Sequence, residues 1–381
     1  MTPTVLIAPD KFKGSLTAAQ VADALAAGLT ATGASCRILP LADGGDGSVD
    51  AAVAAGHRRH QLTVAGATGL PRRASIAVSA HAAVVEVADT CGLATLPGGR
   101  PRPLDATTLG FGQAVRRALQ FDRPRLVLAL GGSASTDGGL GLLAASGFEF
   151  FDATGHPVYP RGRDLARVTR VDAERRIPLH GIEVVVAGDV TNPLLGVDGA
   201  AAVYGPQKGA SPGDVAVLDR GLASIVEVLA GSGFPAAPAL AAAPGAGAAG
   251  GLGFAALLLG ARMSSGAHHF LDLLGFDTAV AGADLVVTGE GCIDEQSGRG
   301  KLISAVVTRS HPTPVVAVAG RTTLSRSQQR AAGLSMTHTL GAHSSRDTRT
   351  DPRLSAEILA TIGRTIGAGL RDDAGQPSRR P

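Results

Sequence analysis

The strongest constraint in this chain is a repeated pairing of an apolar run with a glycine- and acid-rich loop. Val5–Ala8 is followed by Pro9-Asp10, and Ile38–Leu41 by Asp43-Gly44-Gly45-Asp46. Leu126–Leu130 leads into Gly131–Gly139, Val184–Ala187 into Gly188-Asp189, and Leu285–Thr288 into Gly289-Glu290-Gly291. Runs this short and this apolar read as strands covered on both faces. Thr17-x-x-Gln20 is a capping box that opens an Ala-rich helix of roughly residues 18–32. A second helix begins at Asp46 or Ser48, so the first 60 residues read as strand–loop–helix twice, the signature of βαβ units. In open α/β sheets ligands bind outside the carboxyl ends of the strands, where all five loops fall.

The rest of the chain extends this pattern. Residues 61–90 break into short β-rich pieces separated by turn residues, which predicts hairpins. A helix is expected near Thr108–Leu119, strands at Arg125–Leu130, Ile182–Ala187, Asp284–Thr288 and Val315–Ala319, and a closing helix near Leu354–Leu370. Residues 235–251 (PAAPALAAAPGAGAAGG) read as a low-complexity linker or mobile loop. The fold class expected is α/β with two domains. A doubly wound domain comprises residues 1–62 and 284–381, a second α/β domain (63–283) is inserted into it, and 371–381 form a disordered tail.

Composition narrows the functional classes. The aromatic share is 3% with no Trp, so the core must be built from Ala, Val, Leu and Ile. The net charge of +3 comes from scattered basic residues without a run of five or six, which argues against a nucleic-acid or membrane patch. No apolar stretch reaches 18 residues and no leader-like start is read, so no membrane span is expected. Cys36, Cys91 and Cys292 stand alone, which suggests a reducing, cytoplasmic setting. The chain carries 31 Arg but only Lys11, Lys13, Lys208 and Lys301, and its one Asn is Asn192. A lysine retained in so Arg-rich a sequence marks a place that needs a compact ammonium rather than a flat fork.

Glycines allow a backbone to approach phosphate closely, whereas carboxylates at the same place repel it unless a cation lies between. Mg²⁺ with ATP resolves that conflict, because Mg²⁺ takes carboxylate and phosphate oxygens together. Gly245-x-Gly247-x-x-Gly250 matches a dinucleotide fingerprint only as a string, since no strand precedes it. Gly298–Leu302 lacks the hydroxyl residue and glycine spacing of a P-loop. His268 and His269 are adjacent, so on a helix they point apart and make a poor metal pair. Ser15, Ser133 and Ser297 read as donors to phosphate or substrate rather than as nucleophiles.

Seven of these segments together resemble the bacterial glycerate kinases. They are APDKFKGSLTA (8–18), LADGGDGS (41–48), GGSASTDGG (131–139), GDVTNPLLG (188–196), YGPQKGA (204–210), PGAGAAGGLG (244–253) and GEGCIDEQSGRGK (289–301). The likeness runs in order from residue 4 to about residue 321. It implies a flavodoxin-like domain with a second α/β domain inserted. It also implies transfer of the ATP γ-phosphoryl group to D-glycerate, usually giving 2-phosphoglycerate. A Mg²⁺-dependent kinase or phosphatase acting on another small hydroxy acid is the alternative, and a non-catalytic sensor a third reading.

The expected roles follow from phosphoryl transfer, which needs positioning and charge neutralisation. Asp43 and Asp189 are candidates for Mg²⁺ ligation or for the base. Lys301 and Lys208 would neutralise phosphate charge. Lys13 and Ser15 would contact phosphate or the glycerate carboxylate, Asn192 would orient Mg²⁺ or a hydroxyl, and Glu290 and Asp294 complete the substrate set. Gly131, Gly132 and Ser133, with Gly245, Gly247 and Gly250, are expected as a phosphate cradle and closing loop. A monomer or homodimer is expected.

Overall fold

The structure, a computed structural model, describes residues 2–179, 181–294 and 302–375. In chain order its strands are β1 (Thr4–Pro9), β2 (Ser35–Ile38), β3 (Arg58–Ala65), β4 (Pro71–Val78), β5 (Ala82–Glu86), β6 (Arg125–Ala129) and β7 (Glu149–Phe151). They continue with β8 (Arg170–Asp172), β9 (Glu183–Ala187), β10 (Arg262–Ser264), β11 (Leu285–Ile293), β12 (Val315–Thr322) and β13 (Met336–Thr339). The chain divides into two compact units, one of Met1–Asp43 with Ala267–Pro381 and one of Gly44–Gly266.

The first unit holds a five-stranded parallel sheet in the order β13-β12-β11-β1-β2. Counted within the unit this is 2-1-3-4-5, the flavodoxin-like doubly wound order. β1 is buried from Val5 onward because helices cover both faces of such a sheet. Thr17 and Gln20 form the expected capping box at the start of helix Ala18–Thr30. That helix packs on helix Pro352–Gly375 through two glycines. A Cβ on Gly28 would stand 2.0 Å from the Ala360 carbonyl oxygen, and one on Gly363 would stand 2.4 Å from that of Leu25.

The second unit has a six-stranded sheet in the order β10-β9-β6-β5-β4-β3. β10, β9, β6 and β5 are parallel, whereas β5, β4 and β3 form the antiparallel hairpins expected for residues 61–90. Its core is aliphatic, with Val, Leu, Ala and a few Phe, as a chain poor in aromatics requires.

Three expectations are corrected. The unit boundaries fall at 43/44 and 266/267 rather than 62/63 and 283/284. At the first, β3 pairs along its whole length with β4, so residues 58–62 belong to the second sheet. At the other, Arg309 binds Asp272 at 2.5 Å and Asp277 at 2.6 Å, which ties residues 267–283 to the first unit. The segment 235–251 is not a linker. It contains helix Ala237–Ala242 and buries Ala237, Ala241, Ala246 and Ala248 in the core. The final helix continues to Gly375, past the expected start of a tail.

Candidate active site

In a 2-1-3-4-5 sheet the strand order reverses between the first and third strands, and ligands bind at the carboxyl ends there. Those strands are β1 and β11. The β1 ladder continues beyond the strand: the Asp10 amide donates to the Gly289 carbonyl at 2.8 Å, and the Leu41 amide donates to that of Pro9 at 2.8 Å. Gly289 is required where it stands, because a Cβ would lie 2.1 Å from the Val318 carbonyl oxygen.

These extensions bring Asp10, Lys11, Asp43 and Glu290 together. The Lys11 ammonium lies 3.5 Å from Asp10 Oδ1 and 3.9 Å from Asp43 Oδ1, between the two carboxylates. Asp10 is buried and accepts the Lys11 amide at 2.7 Å. Burial pushes its carboxyl up to about 7; Lys11 opposes this, and the charges of Asp43 and Glu290 add to it. A carboxyl poised near neutrality at a switch point suits proton exchange at working pH. Asp10 was absent from the sequence-based site set, although its place directly after a buried strand was the available signal.

Lys13 is exposed on the same loop. Ser15 serves its own unit: its hydroxyl donates to the Thr348 carbonyl at 3.0 Å and lies 3.1 Å from Ser355 Oγ, at the entry to the final helix. Asp294 is the last described residue after β11, and Lys301 lies outside the described residues.

The second unit carries the other set. Its DGGDGS segment from Gly44 onward crosses the carboxyl ends of its own sheet. The Gly131 amide donates to the Gly44 carbonyl at 3.1 Å, and a Cβ on Gly44 would meet the Ala187 carbonyl oxygen at 2.2 Å. Glu86, at the end of β5, accepts the amides of Gly47 at 3.0 Å and Val49 at 2.9 Å. It thereby supplies the acceptor missing at the start of helix Ser48–Ala54, whose N-cap is a glycine. Burial raises the Glu86 carboxyl to about 7. A lone charge inside the run AAVVEVA was the sequence signal for it.

The GGSASTDGG loop follows β6. Gly131 and Gly132 are exposed, while Ser133 through Gly139 are buried. Asp137 is fully buried and gathers four donors: the Thr108 amide at 2.7 Å, the Thr108 hydroxyl at 2.8 Å, and the amides of Gly139 and Gly141 at 3.2 and 3.4 Å. Burial raises its carboxyl and these donors oppose the shift. Lys208 is also buried. Its ammonium donates to Ser133 Oγ at 2.9 Å and to the Ser135 carbonyl at 2.5 Å. Burial lowers it to about 8, against the pull of Asp137.

Asp189 is exposed beyond β9, and its Oδ1 accepts the Gly266 amide at 3.1 Å. Asn192 braces its own loop, donating to the Asp198 carbonyl at 2.8 Å and accepting the Tyr204 hydroxyl at 2.7 Å. Gly245, Gly247 and Gly250 are buried and form no open cradle. Cβ atoms there would meet the Met263 side chain at 2.3 Å and the carbonyls of Pro193 and Ser135 at 2.3 and 2.1 Å. They are glycines because other chain passes close against them.

Among the described residues no group of three His, Cys, Asp or Glu side chains forms a metal cage. No described helix is long and apolar enough to cross a membrane.

Comparison with known proteins accords with this geometry. The sequence pattern of the glycerate kinase family matches residues 5–367, well past the point where the motif likeness had faded. A Bacillus subtilis (strain 168) protein named glycerate kinase is 39% identical over 327 residues, covering 83% of this chain and 84% of that protein. An Escherichia coli (strain K12) protein named glycerate 2-kinase is 36% identical over 336 residues, covering 84% and 85%. A solved structure from Salmonella typhimurium LT2, of a protein carrying the glycerate kinase 2 name, superposes with a TM-score of 0.83. It is 32% identical and covers 99% of this chain and 100% of that one.

Proposed function

The chain belongs to the glycerate kinase family, and we propose that this enzyme transfers the terminal phosphoryl group of ATP, with Mg²⁺, to D-glycerate to give 2-phosphoglycerate. The observation that carries the reading is the Asp10–Lys11–Asp43–Glu290 cluster at the β1/β11 switch point. Mg²⁺ fits a site of this kind, because it takes one or two carboxylates and completes its shell with phosphate oxygens and water instead of a protein cage. When bound, Mg²⁺ would neutralise charge on the phosphate oxygens.

Asp43 in the first unit and Asp189 in the second are each proposed as a carboxylate ligand. Asp10 is the proposed acceptor of the glycerate hydroxyl proton, since its affinity for a proton is matched to neutral pH. Lys13 and Lys301 would offset phosphate and carboxylate charge. The Gly131–Ser133 turn would present backbone donors to an anion. The isolated cysteines favour a cytoplasmic setting.

The test is ADP release by the purified protein, measured with and without D-glycerate, followed by ³¹P NMR of the product. Glycerate-dependent ADP release and a 2-phosphoglycerate signal are expected. ADP release independent of glycerate would indicate a hydrolase and overturn the reading.

A further inference from the structure

Lys208 differs from an ordinary phosphate-binding lysine. Its ammonium is buried, and two of its three hydrogens are spent on Ser133 Oγ and the Ser135 carbonyl. An ammonium can only donate. It therefore occupies an acceptor lone pair of Ser133 and cannot take that hydroxyl's proton in return. Among the described residues neither the Ser133 hydroxyl nor the amide hydrogens of Gly132 and Ser133 have a protein acceptor.

The backbone around this hydroxyl points the same way. Gly132 has φ +81° and is exposed, as is Gly131 before it. A left-handed residue in such a turn lets successive amide hydrogens converge into an anion-binding concavity. The turn is held from both sides: the Leu93 amide donates to the Gly132 carbonyl at 2.9 Å, and the Ala134 amide donates to that of Cys91 at 3.0 Å. The Gly132 carbonyl is thus engaged, while the Gly132 and Ser133 amides between these two fixed points are left over.

We infer that Lys208 is a positioning residue that makes Ser133 an obligate donor, so that this hydroxyl and the Gly132 and Ser133 amides bind an anionic oxygen of a substrate. The inference rests on the kinase reading and deepens it. A nucleotide phosphate and the hydroxy-acid carboxylate share this chemistry. The need for a buried, compact ammonium also explains why lysine persists here in a chain with 31 arginines, since a planar guanidinium is wider and cannot be satisfied by these two acceptors.

The test uses the intact protein and measures binding separately from turnover. Calorimetric titrations with Mg·ATP alone and with D-glycerate alone are compared for wild type, Ser133→Ala, Ser133→Thr, Lys208→Met and the Ser133→Ala/Lys208→Met double variant. Losing a charge-assisted hydrogen bond should weaken one of the two ligands by about tenfold or more in Ser133→Ala, with Ser133→Thr retaining binding. A shift confined to Mg·ATP identifies a phosphate oxygen, and one confined to glycerate identifies the carboxylate. Lys208→Met should weaken the same ligand, and the double variant should be no weaker than Lys208→Met alone. Unchanged binding of both ligands in Ser133→Ala overturns the inference, as does additivity in the double variant. If Lys208→Met does not fold, the Ser133 pair decides alone. Absence of glycerate-dependent turnover in the wild type would instead remove the kinase reading, which keeps the two failures distinct.

Discussion

The Glu86 carboxylate receives the amide hydrogens of Gly47 and Val49 on its two separate oxygens. Glutamine at this position keeps one acceptor and turns an amide group toward the other donor. Glu86→Gln should therefore cost about 1–3 kcal/mol of stability in acid. The sign with pH follows from the raised carboxyl, about 7 in the fold against the usual 4.5. Its contribution is fully present below 4.5 and is lost as pH rises through 7. The deficit of the variant should accordingly shrink between pH 4.5 and 8. Urea unfolding at both ends of that range checks this, and a deficit that grows with pH would count against it.

Asp10→Asn separates catalysis from stability. The Asp10 carboxyl is raised to about 7 from 3.8, so its stabilising contribution is present below 3.8 and lost as pH rises through 7. The asparagine variant should match wild type in thermal stability near pH 4. It should exceed it at pH 8, by a margin on the order of 1–4 kcal/mol. Glycerate-dependent ADP release should fall by about 10²–10⁴-fold, the usual range for losing a general base. A variant that is more stable and fully active would remove Asp10 from the chemistry.

Asp189→Asn tests metal ligation without breaking a loop contact, because asparagine still accepts the Gly266 amide through its side-chain oxygen. Unfolding temperature should be unchanged. The Mg²⁺ concentration needed for half-maximal ADP release should rise about tenfold or more. An unchanged Mg²⁺ requirement would confine Asp189 to holding its loop.

Gly28→Ala should destabilise the first unit. The added methyl would stand 2.0 Å from the Ala360 carbonyl oxygen, so the helices must separate. A loss of about 1–3 kcal/mol is expected, read as a lower unfolding temperature. Ala26→Gly, in the same helix but half-buried, should cost only about 1 kcal/mol through backbone entropy. Equal losses at the two positions would show that the crossing is not close.

Strands such as Thr4–Pro9 and the Val184–Ala187 run of β9 were legible because each is an uninterrupted apolar run with a turn behind it. By contrast, β11 continues through Gly289-Glu290-Gly291, expected as a loop, and the exposed β2 ends at Ile38, where its apolar run was expected to begin. The capping box at Thr17 was legible because it is a local pattern. The segment 235–251 was not, since Ala, Gly and Pro also compose linkers. What distinguishes it is tertiary: Gly247 and Gly250 lie beneath the carbonyls of Pro193 and Ser135, more than 50 and 100 residues away by their own numbering. Side-chain direction was hidden for the same reason. Nothing local separates Lys13, which is exposed, from Lys208, which is buried beneath its loop. Asn192 was noticed for its rarity, and its two side-chain contacts within residues 192–204 brace its own loop.

The pairing of β1 with β11 joins residues 280 positions apart, as in Val5 and Leu285. On a ribosome adding about 5–20 residues per second, Val5 waits roughly 14–56 s for its neighbour Leu285 to be made. Every contact within Gly44–Gly266 can form during that interval. The later-encoded middle can therefore complete its sheet while β1, with β2 beside it, still lacks its neighbour β11.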